Sequence, residues 1–122
     1  MRQKQQFDEA HAVPDADVEA VKARAYELLV RKTNYYEQIM NLYPAKIKIT
    51  SAKKRFGSCT GHKDGTNTIC YSYKLIFYPD AAIDYVVVHE LAHIQYKNHG
   101  KAFYRLIESV LPDYKERIKL LR

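Results

Sequence analysis

From Asp80 to Tyr96 the chain places apolar residues at almost every helical azimuth, then sets His89, Glu90 and His93 among them. Ile83, Val86, Val87, Val88, Leu91, Ala92 and Ile94 leave no broad polar face, and a helix apolar nearly all round belongs at the centre of a fold. Pro79 and Asp80 provide a start, since proline is tolerated in the first turn and an acid is favoured by the helix dipole. The three consecutive valines alone would also suit a buried strand, but the segment is too long for one. Two imidazoles and a carboxylate inside such a helix are costly to bury unless something pairs with them. The fold must therefore be built around this helix and must bring a partner to its polar groups.

Residues four apart stack on one helical face, so His89 and His93 can act as adjacent ligands of one Zn²⁺. Glu90 lies beside them, placed to take a proton from an activated water without becoming a ligand. The pattern points to a zinc hydrolase, with peptide bonds as the foremost substrate. Two residues compete to be the third ligand. His99 follows the predicted helix end, where Asn98 is expected to take a left-handed conformation that swings the chain back. Glu108 lies on a further helix whose apolar stripe is Phe103, Leu106, Ile107, Val110 and Leu111, and it falls off that stripe. His99 is the preferred ligand. The spacing matches the metzincin pattern except that Tyr96 stands at the glycine position and no Met-turn follows, which separates this chain from those enzymes.

Taken with their flanks, these residues resemble the YgjP-type metallopeptidases. The resemblance rests on Val86 to His93, Asn98-His99, Lys101-Ala102-Phe103 and Leu111 to Arg117, and on Arg55-Phe56-Gly57-Ser58-Cys59, which matches an Arg-Trp-Gly-Ser-Cys signature with Phe for Trp. Tyr73 and Tyr104 also stand where that family usually has Trp, and this chain has no Trp. The resemblance implies a zincin-like core with His89, His93 and His99 as ligands, Glu90 as base and Zn²⁺ as cofactor. It also implies kinship with WLM and SprT-like proteases, some of which act on proteins crosslinked to DNA.

The length of 122 residues suits one domain spanning 1–122, with residues 1–14 expected to form a flexible N-terminus. Asp15 to Leu42 reads as a long helix with Asp15 as N-cap, and Pro44 follows its end. Ala45 to Thr50 alternates as a half-buried strand. Ser58 to Asn67 reads as a loop with a turn at Asp64-Gly65. Thr68 to Tyr78 reads as a second strand, and Asp113 to Leu121 as a short helix. The predicted class is α+β: a small antiparallel sheet packed against three to four helices, including the His-Glu helix. In zincins a sheet edge beside the metal holds extended peptide by strand addition, so the Thr68–Tyr73 strand, with Tyr71 and Tyr73, is the expected substrate edge. Met1 to Ala12 contains no apolar signal segment and no run reaches a membrane span, so a cytoplasmic protein without membrane attachment is expected. In that setting Cys59 and Cys70 are expected as free thiols.

The net charge is +6, and it is unevenly spread. Residues 44–78 hold 7 basic groups and 1 acid, notably Lys53, Lys54 and Arg55. Such a patch attracts polyanions. It supports a competing reading, a nucleic-acid-associated domain whose zinc is structural or latent and which acts on DNA-bound proteins. Arg55, inside the signature, is expected to form an ion pair tying its loop to the core. An open coordination position beside Glu90 favours the peptidase reading over this one.

Overall fold

The computed structural model describes residues 13–122; of the segment expected to be a flexible N-terminus, residues 1–12 lie outside the described residues. Helix α1 spans Val18–Met40, and a single turn of 3₁₀ helix at Asp15–Asp17 precedes it. Its buried face is Val21, Ala25, Leu29, Thr33 and Tyr36, spaced at three and four residues as helical geometry requires. Asn41 ends it in the left-handed region at φ 57°, the only non-glycine residue with positive φ among the described residues. Strands β1 (Lys46–Thr50), β2 (Gly57–Gly61) and β3 (Asn67–Ser72) form one sheet in the order β1-β3-β2. A 3₁₀ turn over Tyr73–Phe77 leads into α2 (Asp80–Gln95), followed by α3 (Lys101–Val110) and α4 (Tyr114–Lys119).

The α+β class holds, but the sheet is mixed rather than antiparallel. β1 runs parallel to β3 with Ile47 opposite Ile69, while β2 runs antiparallel to β3 with Cys59 opposite Ile69. The expected loop at 58–67 is the second strand and the turn of a hairpin. Gly65, at φ 88°, makes that turn, and its N–H donates to the His62 carbonyl at 3.0 Å. The predicted strand at 68–78 stops at Ser72, whose hydroxyl accepts from the Lys74 N–H and starts the 3₁₀ turn. Both cysteines are free. Because Ser58 pairs with Cys70, Cys59 and Cys70 point to opposite faces of the sheet, which excludes a bridge between them.

Helix α2 is the hub. Ten of its residues are buried, and α1, α3, α4 and β2 all pack against it. Leu29, Phe56, Ile69, Tyr71, Leu75, Phe103 and Ile107 are fully buried around it, each worth roughly 1.5–3 kcal/mol of transfer free energy if an aliphatic side chain is taken as typical. At its N-terminal end Asp84 receives Lys32 of α1, the Tyr36 hydroxyl at 3.1 Å and, at 3.9 Å, Arg117 of α4. Arg117 also donates to the Ala81 carbonyl and to Asp113. This clamp holds α1, α2 and α4 together. No helix among the described residues is long and apolar enough to cross a membrane.

Candidate metal centre

The last turns of α2 carry His89, Glu90 and His93, and the chain then leaves the helix at Tyr96. Tyr96 is extended, φ −124° and ψ 110°, so the reversal does not use a left-handed Asn98; the left-handed asparagine is Asn41, at the other helix. An extended residue needs no glycine, which accounts for Tyr96 at this position. The exit brings His99 back over the helix. Ligand nitrogens of His89, His93 and His99 lie within 4.8 Å of one another, and His93 Nε2 and His99 Nε2 face each other at 3.0 Å.

Protonation follows from the outer nitrogens. His93 Nδ1 is 3.0 Å from the Tyr96 carbonyl, which can only accept, so Nδ1 carries the proton and Nε2 keeps its lone pair in the neutral ring. His89 Nδ1 meets the Tyr85 hydroxyl at 3.1 Å, one helical turn away. Both contacts orient a ring by its outer nitrogen, the arrangement that metal-binding imidazoles use. Burial, reinforced by His93 and His99, pulls His89 down to about 3. Burial likewise lowers His93, with the Tyr96 carbonyl opposing. Three imidazoles converge with no acid among them. Tetrahedral ligands about 2.0–2.1 Å from Zn²⁺ stand roughly 3.3 Å apart, and the donor set suits such an ion in chemistry and in spacing.

Phe103 fixes the three rings. It is fully buried, stacks on His93 at 4.5 Å, and meets His89 and His99 edge-on at 5.1 and 5.0 Å. In the sequence it is only a member of an apolar stripe, and Tyr85 one of several buried aromatics. The signal available for Tyr85 was its position four residues before His89 on a helix. Glu108 is exposed on α3 and outside the histidine cluster.

Glu90 is 3% exposed. Burial pushes its carboxyl up to about 8, while the positive charge of Arg55 works in the opposite direction. The start of β2 covers it. A Cβ on Gly57 would stand 3.1 Å from Glu90 Cγ, 3.2 Å from its Oε2 and 3.1 Å from the Cys70 carbonyl oxygen. Gly57 is therefore required by close approach, and its signal was the Gly of the Arg-Phe-Gly-Ser-Cys run. Beyond β2, Lys97 donates to Asn67 Oδ1 at 3.0 Å and ties the His99-bearing connection to the hairpin.

Other expected site residues lie elsewhere. β3 is the central strand, paired on both sides, so it cannot be a substrate edge. Tyr71 is fully buried with its hydroxyl on Thr33 at 2.9 Å, and Tyr73 is buried at the start of the 3₁₀ turn. Both are core residues. Lys53, Lys54 and Arg55 are exposed between β1 and β2. Among the described residues Arg55 forms no salt bridge, so the expected ion pair gives way to a longer-range effect on Glu90.

The fold is similar to the crystal structure of the metallopeptidase zymogen abylysin from Pyrococcus abyssi, with a TM-score of 0.62 and 22% identity over 73% of this chain and 87% of that one. No curated protein matches the chain. The family model for the YgjP-like metallopeptidase domain matches residues 2–122. With three imidazoles converging beside a buried glutamate and a family match over almost its full length, the chain belongs to the YgjP-like metallopeptidases.

Proposed function

We propose that this chain hydrolyses peptide bonds with Zn²⁺ held by His89, His93 and His99 and with Glu90 as the catalytic base. The observation that carries this reading is the pairing of the two parts: three imidazoles converging on one point and, next to them on α2, a carboxyl of unusual basicity. The ion, when bound, supplies Lewis acidity that polarises a peptide carbonyl and acidifies water. Glu90 takes a proton from the attacking water and passes it to the leaving amine. A base works best with a pKa near the operating pH, and burial moves Glu90 in that direction. The contacts of Tyr96 with His93 and of Tyr85 with His89 hold the ligand nitrogens in register for this. β2 is an edge strand that runs past Glu90, and its outer N–H and C=O groups suit an extended peptide added as a further strand.

Glu90→Gln tests the assignment. It is expected to keep stoichiometric zinc and the fold while proteolysis falls on the order of 10²–10⁴-fold. Proteolysis at the wild-type rate overturns the role of Glu90. A second reading, association with nucleic acid, draws support from the exposed Lys53, Lys54 and Arg55 and from Lys46 and Lys48, which are exposed on β1 of the same segment. Neutralising Lys53, Lys54 and Arg55 would reduce the salt slope of DNA binding by about 3 if each meets a phosphate. An unchanged slope removes this reading.

A further inference from the structure

A cavity of about 470 Å³ opens against His99 and Gly100, which line it, while His89, His93 and Glu90 do not. One face of α3 lines it with Lys101, Tyr104, Arg105 and Glu108, spaced so that they share a side of the helix. Tyr114, at the start of α4, also lines it. Tyr104 and Tyr114 stack with centroids 5.9 Å apart and planes at 22°, giving the cavity an aromatic wall. The Tyr104 ring lies 6.3 Å from the His99 ring. An occupant of the cavity therefore sits within about two residues of a ligand-bearing imidazole, at roughly 3.3–3.6 Å of chain per residue.

Charge gives the cavity a preference. Two cations and one acid line it, and among the described residues neither Lys101 nor Arg105 is held in a salt bridge. Arg117 and Lys32 differ in this respect, since both are committed to the clamp on Asp84. A guanidinium beside an aromatic wall suits a carboxylate, which it grips with two parallel hydrogen bonds. Glu108 works against such a ligand and sets the net attraction at one charge.

We propose that this cavity is a subsite for a carboxylate-bearing residue of the peptide substrate near the scissile bond, recognised by Arg105 and Lys101. The identity of that ligand as a peptide rests on the peptidase reading above. The carboxylate comes either from an acidic side chain or from the peptide's C-terminus, and both present the same chemistry to the cavity.

The test compares matched peptides, Glu against Gln at each position flanking the cleaved bond and free against amidated C-terminus. Hydrolysis by the zinc-loaded protein is one readout. Calorimetric binding to the zinc-loaded Glu90→Gln variant is the other, and it does not depend on turnover. The expected result is a preference of about tenfold for one carboxylate source, carried by KM, since the cavity's hydrogen bonds to the ligand are charge-assisted but solvent-exposed. Preference for Glu identifies the side chain as the source, and preference for the free terminus identifies the α-carboxylate. Arg105→Gln should erase the preference, Arg105→Lys should restore part of it, and Glu108→Gln should strengthen it. The first of these residues is exposed, so its replacement does not threaten the fold. Equal handling of charged and neutral peptides in both readouts overturns the subsite and leaves the peptidase reading standing. Carboxylate-dependent binding with no hydrolysis by the wild-type protein supports the subsite and overturns the peptidase reading.

Discussion

The two ends of helix α2 are both polar in a molecule whose core is apolar, and they solve that problem differently. At the N-terminal end Asp80 and Asp84 meet Lys32, Tyr36 and Arg117, so acids face cations and donors. That cluster is complete within the chain. At the C-terminal end His89, His93 and His99 bring three imidazoles together, and the nearby acid, Glu90, is outside the cluster. That cluster is one that could hold a metal ion. Complementary charge marks a joint, whereas convergence of like groups marks a site.

Metal should separate the ends most strongly. With zinc at about a thousand times its dissociation constant, the wild-type protein should gain about 4 kcal/mol of unfolding free energy. His93→Ala should lose that gain, as followed by denaturant unfolding with and without chelator. The same gain in the alanine variant would break the comparison. The next largest effect belongs to the clamp. Asp84→Ala strips Lys32, Tyr36 and Arg117 of a shared partner and should cost about 3 kcal/mol, at the low end for a buried pair because Lys32 and Asp84 retain 15% and 18% exposure. Its zinc stoichiometry, measured by metal analysis, should stay at the wild-type value. Gly57→Ala should cost about 2 kcal/mol by overpacking against the Cys70 carbonyl and Glu90. It should depress hydrolysis while zinc is retained, which separates the base from the ligands. The smallest effect is expected from Tyr85→Phe, which removes the outer partner of His89 and should weaken zinc binding about tenfold in a competition titration with a chelator.

Much of this division is legible in the sequence. The apolar circumference of Asp80–Gln95 and the stripe from Phe103 to Leu111 located the helices because 3.6-residue periodicity is a local property. His89, Glu90 and His93 needed nothing beyond that helix to be placed together. Strand order was not legible. Alternation on β1 and β3 reports which side faces the core, not which strand lies next to which, so a central strand was read as an edge and Tyr71 as a substrate contact. β2 was hidden for a different reason. Gly57-Ser58-Cys59-Thr60-Gly61 has almost no strand-like composition, because its start passes within contact distance of Glu90 and only glycine fits there. The sequence predicts a left-handed asparagine at Asn98 and the structure has it at Asn41, since composition cannot say which helix end leaves room for an extended exit.

The open ladder of β2 has one more consequence. Backbone groups free to hold a peptide are equally free to hold the β2 of a second molecule, so every exposed edge invites sheet-to-sheet growth. Here the invitation is weak by construction. The strand has five residues, begins and ends in glycine, and offers no large apolar side chain to zip against a copy of itself. The plainness of this strand thereby works against self-assembly.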